Sequence, residues 1–391
     1  MHSDYLANIV PIFENQMLIR ENLIFNIAFT VFLLSAAIQL FYYFFFFLSA
    51  GLSGKAAQSH DYKPVSVIIC ARNEEKNLRL YLTSVLEQDY PDFEVIVVND
   101  CSEDNSYNVL GELLPAYPHL RISNIARDPK FTHNKKFAQF IGIKAAKNEL
   151  LLFTDADCHP ESDNWIRGMV DGFDEKTDFV LGYGGYSSEK GLLNKYIRFD
   201  TMMIALQYFG MALRGMPYMG VGRNLAYRRS VFFKNKGFGQ HSHLLSGDDD
   251  LFVNKHANRQ NTAVETSRET HTRSVPSRTF AEFFRQKRRH LTTAPHYRLR
   301  DRIILIAEPA TRLLFYISFI ILSFSRFWPY AVAIFAGRMI VQSVTFKFAV
   351  KKFNEPGIFK YSLLFDIFSP FLNLAFYLSN YLQSPGKNQW K

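Results

Sequence analysis

The sequence predicts an α/β domain with a mixed, mostly parallel, Rossmann-like sheet, joined to one N-terminal and about three C-terminal transmembrane helices. In the middle of the chain, short apolar strands alternate with helical stretches, as is typical of parallel sheets. Near both ends, long apolar stretches with few charges reach the length needed to cross a bilayer. The 391 residues are 48% hydrophobic and 21% charged, which fits a soluble body joined to apolar segments.

The N-terminal segment, residues 1–54, contains a stretch that is long enough to span a membrane. No charged residue occurs between Asn22 and Gly54, and Leu23–Leu48 is almost wholly apolar. The stretch begins well inside the chain, lacks a basic flank and ends in four phenylalanines instead of small residues. We therefore predict a retained membrane helix and not a cleaved signal peptide.

The C-terminal region, residues 303–391, contains three further apolar stretches. They lie near 303–325, 328–350 and 361–382. Four ionisable residues interrupt them: Glu308, Arg312, Arg338 and Asp366. Because ionisable groups at membrane depth pair with one another or face a cavity, we expect Arg338 and Asp366 to compensate each other's charge.

Basic residues predict how the chain crosses the membrane. Four lysines cluster between the last two apolar stretches, namely Lys347, Lys351, Lys352 and Lys360. By the positive-inside rule this cluster lies in the cytosol, together with the large basic body of the chain. We divide that body into a cytosolic domain, residues 55–275, and an amphipathic interface helix, residues 276–302. The sequence thus predicts a multi-pass protein of the cytoplasmic (inner) membrane.

Three predicted strands each end in polar residues. The strands are Val65–Ile69, Phe93–Val98 and the apolar run that begins at Leu150. The residues after them are Ala71, Arg72 and Glu74, then Asp100, then Asp155 and Asp157. Ligands of open α/β sheets bind at the carboxyl ends of the strands, so we expect these side chains to meet at one rim. No G-x-G-x-x-G or P-loop pattern occurs, which argues against a dinucleotide oxidoreductase or a P-loop nucleotidase.

Asp155 and Asp157 stand one residue apart after the third strand, so that both can face the same side. Carboxylates suit a hard divalent cation such as Mg2+ or Mn2+, which can also bind a substrate diphosphate. An acidic loop without a ligand is the alternative. Cys70, Cys101 and Cys158, an odd number without close spacing, predict neither disulfides nor a zinc site.

Other polar residues near the strand ends fit a nucleotide diphosphate. Asp100 can accept hydrogen bonds from a base or a ribose, or can serve as a turn residue. Arg72 can neutralise phosphate, or only solvate the strand end. Lys135 and Lys136 precede a predicted helix that extends to Lys147, and the helix dipole does not favour a cation there, so a role towards ligand phosphate is preferred.

Three adjacent carboxylates, those of Asp248, Asp249 and Asp250, follow Gly247. Packing them together raises the pKa of at least one of them, which is how a general base is tuned. Asp250 can instead mark the N-terminus of a helix, where a negative charge is favoured.

A basic stretch precedes the C-terminal membrane region. In it, Gln286 and Arg289 have helical spacing, so they share one face and can bind a leaving diphosphate. The other basic residues of this stretch can anchor the chain to anionic lipid, and they include Lys287, Arg288, Arg298 and Arg300.

Six segments, in this order, resemble membrane-bound members of glycosyltransferase family 2, the group that includes cellulose and hyaluronan synthases and ceramide glucosyltransferase. They are V-S-V-I-I-C-A-R-N-E-E, V-V-N-D-C-S, K-K-F-A-Q-F-I-G-I-K-A-A, T-D-A-D-C, G-D-D-D-L and Q-K-R-R-H. The resemblance covers about 64–297 and the membrane layout, and the ordered set is more specific than any single motif. It implies a GT-A fold and an inverting, metal-dependent transfer of a hexosyl or N-acetylhexosaminyl group from a nucleotide sugar, normally a UDP-sugar.

The resemblance also implies roles for individual residues. The nucleotide-binding residues are Ala71, Arg72, Glu74, Asp100, Lys135 and Asp155, with Lys136 as the alternative to Lys135. Asp157 is the direct metal ligand, and Gln286 and Arg289 close over the diphosphate. Asp248 matches the catalytic aspartate, with Asp249 as the alternative.

Three departures from the family pattern bear on the activity. Gly247 stands where an acid usually precedes the catalytic aspartate, which is why that assignment can shift by one residue. His290 replaces the usual Trp after Arg289, and Asn99 replaces the first Asp of D-D-G-S. Together they favour one or a few transfers over long-chain polymerisation. Residues 220–228 resemble the acceptor-side segment.

The sequence therefore predicts transfer to a lipid or glycan acceptor at the cytoplasmic membrane face, in envelope glycan synthesis, with membrane lipids as further partners. Two alternatives remain open: a polyprenyl-phosphate glycosyltransferase, or an inactive membrane scaffold that binds nucleotide sugars. Nucleic acid is not an expected partner, because the basic residues lie beside the membrane and not among base-stacking aromatic residues.

Overall fold

The computed structural model describes residues 2–54, 62–127, 134–239, 244 and 246–382. Its main sheet has seven strands, which are β1 (Val65–Ala71), β2 (Phe93–Asp100), β3 (Leu120–Ile125), β4 (Leu150–Asp155), β6 (Phe179–Leu181), β8 (Leu225–Arg228) and β9 (Thr262–Val264). A second, small sheet consists of β5 (Cys158–Pro160), β7 (Gly184–Tyr186) and β10 (Thr272–Ser274).

The strands of the main sheet lie in the order β3-β2-β1-β4-β8-β6-β9. The strands from β3 to β4 pair in parallel, whereas β8 is antiparallel to both of its neighbours. The predicted mixed, mostly parallel sheet is thus confirmed. β1 and β2 extend beyond their predicted ends, to Ala71 and Asp100, so that the latter belongs to its strand.

Helices cover both faces of the main sheet and form the membrane region. In chain order they are α1 (His2–Phe41), a π-helical segment (Tyr42–Phe47), α2 (Leu48–Gly51), α3 (Glu75–Leu86), α4 (Ser106–Leu113), α5 (Lys135–Ala145), α6 (Trp165–Asp171), α7 (Leu192–Leu213), α8 (Arg229–Lys234), α9 (Asp250–His256), α10 (Phe280–Leu291), α11 (Leu299–Leu322), α12 (Trp328–Lys352) and α13 (Phe359–Leu382).

Alternation along β1 explains the two layers of the core. Val67 and Ile69 belong to one buried apolar cluster, which includes Leu78 and Leu82 of α3. Ile68 points to the other face, into the cluster that includes residues of α5. Because both faces are covered, β1 is apolar along almost its entire length and only its end is free to hold polar groups.

Four helical segments in the described part of the chain are long and apolar enough to cross a membrane: Asn22–Gly51, Leu299–Leu322, Trp328–Lys352 and Phe359–Asn380. One is N-terminal and three are C-terminal, as predicted. The predicted interface helix, residues 276–302, is shorter than expected. The α10 helix begins after Thr279, whose side chain forms a capping box with Glu282, and a 3-10 turn that contains Pro295 separates it from α11.

The four ionisable residues that interrupt the apolar stretches of the membrane region form one buried network. The carboxylate of Asp366 accepts hydrogen bonds from Arg338 at 3.0 Å, from Arg312 at 2.7 Å and from the Tyr316 hydroxyl at 2.6 Å. Arg312 also contacts Glu308, four residues earlier on α11. The pairing predicted between Arg338 and Asp366 is present, and Arg312 shares the same carboxylate.

Removing either partner of this buried pair should destabilise the protein strongly. Asp366→Asn and Arg338→Gln are each expected to lower the free energy of unfolding by about 3–5 kcal/mol, because each leaves the buried network of two arginines and two carboxylates with one uncompensated charge. The double variant should lose less than the sum. Unfolding of the detergent-solubilised protein measures the three values, and strictly additive losses would contradict the coupling. A charge swap should restore little, since Arg312 would then face a second cation.

Candidate active site

The carboxyl ends of β1, β2 and β4 lie side by side. In the parallel register Ala71 is opposite Asn99, and Cys70 is opposite Asp155. Asp100 therefore ends its strand next to the end of β1, and its side chain is fully buried. Arg72 and Glu74 follow in the turn that leads to α3, where the Ser106 hydroxyl accepts a hydrogen bond from the Glu74 backbone N–H. These neighbouring strand ends form the rim to which the sequence assigned the nucleotide.

Lys135 links two acidic segments at this rim. Its ammonium group lies 2.7 Å from the Asp155 carboxylate and 3.5 Å from that of Asp248. Burial lowers the pKa of Lys135, but the carboxylates of Asp155, Asp248 and Asp249 outweigh it, so the pKa is raised and the side chain stays protonated. For the same reason the pKa of Asp155 is lowered despite its burial.

The position of the two lysines follows from the start of α5. Asn134 caps this helix by accepting a hydrogen bond from the Phe137 backbone N–H, so both lysines lie in the first turn and not before the helix. Lys135 points to the acidic rim. Lys136 is buried and donates to the Leu244 carbonyl at 2.9 Å. The geometry therefore favours Lys135 over Lys136 as the rim lysine.

The Cys70 thiol shows how closely the acidic groups converge. Its pKa is raised, first by burial and then by the carboxylates of Asp248, Asp155 and Asp100, against the opposing effect of Lys135. These three aspartates come from β2, from β4 and from the segment before α9. Their charges act on one half-buried thiol, so the three segments meet at one place, as the sequence predicted.

Asp155, Asp157 and Cys158 offer ligand atoms that all lie within 4.8 Å of one another. Burial and the two carboxylates raise the pKa of the Cys158 thiol well above its usual value. Sulfur is also a soft ligand, whereas hard divalent cations prefer oxygen. Asp155 is engaged by Lys135, whereas Asp157 accepts a hydrogen bond from the Ser274 hydroxyl at 3.0 Å. The remaining oxygen donors suit a hard divalent cation, and Asp157 is the better placed ligand.

The three consecutive aspartates before and in α9 have different surroundings. Asp250 begins the helix, and its buried carboxylate accepts hydrogen bonds from the hydroxyls of Thr293 and Tyr297, each at 2.6 Å. Asp249 caps the helix and accepts a hydrogen bond from the Gly222 backbone N–H. Asp248 is buried beside Lys135, as described above.

One of these carboxyls has the raised pKa that the sequence predicted. Burial, followed by the charges of Asp248 and Asp250, raises the pKa of Asp249 to about 7. The pKa of Asp250 is also raised by burial, although its hydroxyl partners oppose the shift. Asp249 therefore exchanges its proton near neutral pH, beside the segment 220–228.

The α10 helix brings Gln286 and Arg289 to the side of the domain on which the acidic rim lies. The Gln286 side-chain amide donates to the Tyr186 hydroxyl at 2.9 Å, and Tyr186 lies opposite Ser274 in the small sheet. Arg289 is close enough to Asp155 to lower the pKa of that carboxyl, as a minor cause after Lys135. Both residues thus belong to the neighbourhood of the acidic rim.

The four basic side chains that the sequence assigned to lipid binding have partners within the protein. Lys287 contacts Asp200 of α7 at 2.7 Å, and Arg288 donates to Asn380 of α13 at 2.8 Å. Arg298 and Arg300 both contact the buried Asp301, at 2.9 and 2.8 Å. The first two contacts hold α10 against α7 and α13, and the last two are local contacts at the start of α11. The lipid-anchor interpretation did not include these uses.

Sequence reasoning missed three side chains at the rim: Tyr186, Arg223 and Ser274. The Arg223 guanidinium stacks 4.3 Å from the centre of the Tyr186 ring. Burial alone would lower the pKa of Arg223. Its neighbours, which include Asp155 and Asp157, have the larger opposite effect, so the pKa is raised and the guanidinium stays charged. Arg223 lies in the quoted segment 220–228, but Tyr186 and Ser274 belong to strands of three residues that have no motif.

Comparison with known proteins indicates the family and the fold. Residues 66–234 match the family model described as glycosyl transferase family 2. This part of the chain is a glycosyltransferase family 2 domain. A probable glycosyltransferase of Bacillus subtilis (strain 168), YdaM, is 28% identical over 196 residues, 48% of this chain and 46% of that protein. The glycosyltransferase AglE of Haloferax volcanii is 30% identical over 135 residues, 32% of this chain and 43% of that protein.

A solved structure resembles the fold over most of the chain. The mannosyltransferase PcManGT from Pyrobaculum calidifontis, in complex with GDP-Man and Mn2+, has a TM-score of 0.57 and 18% identity over 90% of this chain and 98% of that one. This similarity supports the GT-A fold that the resemblance implied. The chain spans less than half the length of the two curated relatives named above.

Proposed function

We propose that this protein is an inverting, metal-dependent glycosyltransferase. It moves a hexosyl or N-acetylhexosaminyl group from a nucleotide diphosphate sugar, normally a UDP-sugar, to a lipid or glycan acceptor in envelope glycan synthesis. The observation that supports it most is the cluster in which Lys135 joins Asp155 to Asp248, beside Asp157, within a glycosyltransferase family 2 domain.

The parts of the donor, from the base to the reacting centre, are assigned to successive strand ends along the rim. Asp100, buried at the end of β2, is placed to accept hydrogen bonds from the base, with the turn that contains Ala71, Arg72 and Glu74 as the neighbouring wall. Asp155 and the protonated Lys135 then lie between the nucleoside and the reacting centre. This order follows the strand order from β2 through β1 to β4.

The leaving diphosphate needs positive charge. The residues that would hold a divalent cation are Asp157 and Asp155, and such a cation would act as a Lewis acid on the leaving phosphate. Lys135 and Arg289 supply fixed positive charge on the protein side, and Gln286 can donate a hydrogen bond from its amide. These groups are positioned before the substrate binds, so little reorganisation opposes the reaction.

The acceptor hydroxyl must lose a proton as it attacks the anomeric carbon from the face opposite the leaving group. Asp248 matches the family's base by its place in the sequence, but it pairs with Lys135. Asp249 has a pKa of about 7, near the value that suits a general base, and lies beside the acceptor-side segment through Gly222. We therefore assign the proton acceptor to Asp249, with Asp248 holding Lys135 in place.

The membrane region supports a cytoplasmic active site. The turn between α12 and α13 packs on the domain, and Lys352 at the end of α12 donates to the Ser53 carbonyl at 2.7 Å. The basic cluster of this region thus lies on the same side of the membrane helices as the active site. By the positive-inside rule, that side is the cytosol of a multi-pass protein in the cytoplasmic membrane.

The raised pKa of Asp249 predicts a pH dependence. The base must be deprotonated to accept a proton, so kcat/KM should rise by about tenfold per unit below pH 7 and level off above it. Asp249→Asn should remove this dependence from the residual activity. A profile of kcat/KM between pH 5.5 and 8.5 tests it, and a flat profile in the unmodified protein would contradict the assignment.

Nucleotide release tests the proposed function. The purified full chain is incubated with UDP- and GDP-sugars, GDP-mannose among them because PcManGT was solved with GDP-Man, and with Mg2+, Mn2+ or EDTA. We expect nucleoside diphosphate to be released from one donor class in the presence of the metal. Transfer that requires a polyprenyl phosphate would indicate the alternative acceptor, and binding of donors without any release would indicate a scaffold.

A further inference from the structure

Glu355 lies in the turn between α12 and α13 and reaches into the cytosolic domain. Its carboxylate is fully buried and accepts hydrogen bonds from the Tyr183 hydroxyl at 2.7 Å, from Arg198 of α7 at 2.7 Å and from Arg273 of β10. A membrane-region residue thus forms the centre of an ionic cluster inside the domain. We call Glu355, Arg198, Arg273 and Tyr183 the turn cluster.

Arg273 connects this turn to β10 through several bonds. It donates to the carbonyls of Phe353 and Asn354, at 2.9 and 3.0 Å, and to the Glu161 carboxylate at 3.0 Å. The guanidinium passes so close to Gly185 of β7 that a Cβ atom there would lie 2.2 Å from it. The small sheet therefore leaves a defined channel for this side chain, and the arginine has little room to move.

The same strand contacts the candidate metal ligand. Ser274 directly follows Arg273, and its hydroxyl donates to the Asp157 carboxylate at 3.0 Å. Strand β5 begins at Cys158, the residue after Asp157, and pairs with β10 so that Cys158 is opposite Ser274. The position of β10 thus fixes the Asp157 carboxylate both through the hydroxyl and through the backbone of β5.

We propose that Glu355 is a positioning residue for the divalent-cation site, an inference that rests on the proposed function. It anchors Arg273, and through β10 it holds Ser274 and Asp157 in the geometry that binds the cation. The membrane turn therefore contributes to the metal affinity of a site that it does not touch. Such outer partners of metal ligands typically change affinity by about 10–100-fold when they are removed.

The charges of the turn cluster explain why a carboxylate is needed. Arg198 and Arg273 are both buried, and Glu355 contacts both of them. Glu161 contacts Arg273 but not Arg198. Replacing Glu355 with glutamine keeps the shape but leaves two buried cations with one carboxylate. Their repulsion would push Arg273, and with it β10, away from its present position.

Binding of Mn2+ to the full chain in detergent, measured by electron paramagnetic resonance in the presence of UDP, tests the proposal. Glu355→Gln is expected to weaken Mn2+ binding about 10–100-fold. Ser274→Ala, which removes only the hydroxyl next to Asp157, should weaken it in the same direction. The control is Asp301→Asn, which disrupts an equally buried carboxylate with two arginine partners on α11, and should leave Mn2+ affinity within about twofold.

Each outcome has a definite meaning. Unchanged Mn2+ affinity in Glu355→Gln or in Ser274→Ala overturns the proposal, and so does an equal loss in Asp301→Asn, because the effect would then reflect general destabilisation. If Glu355→Gln does not fold, Glu355→Asp is measured in its place, because it keeps the charge but shortens the reach to Arg273, and Mn2+ affinity equal to that of the unmodified protein then overturns the proposal. An unmodified protein that binds UDP but no Mn2+ contradicts the proposed metal dependence, whereas a failure limited to the variants contradicts only the positioning by Glu355.

Discussion

Asp157→Ala is expected to abolish metal-dependent sugar transfer. The carboxylate of Asp157 lies in the group of ligand atoms within 4.8 Å, and its two neighbours cannot replace it. The Cys158 thiol is a soft ligand, and the Asp155 carboxylate, which would hold the cation together with Asp157, also pairs with Lys135. Lewis-acid stabilisation of a leaving group contributes several kcal/mol, so the loss in kcat should reach about 10²–10³-fold. Steady-state release of nucleoside diphosphate, with Mg2+ or Mn2+ titrated, measures it.

A matched control separates this effect from a change in stability. Asp92 is exposed at the opposite end of β2, and only its backbone carbonyl is used, by the Val65 N–H. Asp92→Ala should therefore keep the activity and metal requirement of the unmodified protein. If Asp157→Ala retains full transfer at low metal concentration, Asp157 is not a metal ligand.

Asp249→Asn is expected to retain nucleotide binding and to lose transfer. An amide cannot accept the acceptor's proton, and general-base assistance typically contributes about 10²–10⁴-fold. The carboxylate of Asp249 accepts hydrogen bonds from two backbone N–H groups, those of Gly222 and Asp250, and the amide can keep one of them. Asparagine is as good a helix N-cap as aspartate, so the fold around α9 should persist. Single-turnover transfer rates and equilibrium binding of the nucleotide, measured on the same preparation, separate the two effects.

Comparison with Asp248→Asn decides between the two candidate bases. Asp248 pairs with Lys135. The asparagine amide carries no charge, so Asp248→Asn should weaken this pairing and affect donor binding as well as the rate of transfer. A loss of kcat confined to Asp248→Asn, with Asp249→Asn fully active, would show that Asp248 is the base, as the family pattern indicates.

The chain's local patterns were sufficient to predict most of the rim. Asp100, Asp155 and Asp157 follow apolar strands, and parallel pairing necessarily brings such strand ends together. The acidic run before α9 could be predicted to contain one raised pKa, because three adjacent carboxylates repel one another. Which of them it would be depended on contacts with Gly222, Thr293 and Tyr297, and these come from distant parts of the chain.

Other features depend on tertiary pairing that no local pattern encodes. Tyr186 and Ser274 reach the site only because β7 and β10 pair, and strands of three residues leave no periodic signal. Glu355 would be read from sequence as an ordinary turn residue beside a proline. The predicted interface helix, residues 276–302, was too long, because the capping box at Thr279 and the turn at Pro295 divide a stretch that is rich in basic residues on both sides of that turn.

A structure of the full chain with UDP or GDP and Mn2+, in which the metal is located by its anomalous scattering, tests the central claim most directly. We predict a manganese ion coordinated by Asp157 and by the diphosphate, with the nucleobase near Asp100 and Lys135 beside the phosphates. A nucleotide bound at another surface, or one bound at this rim with the metal away from Asp157, would contradict it.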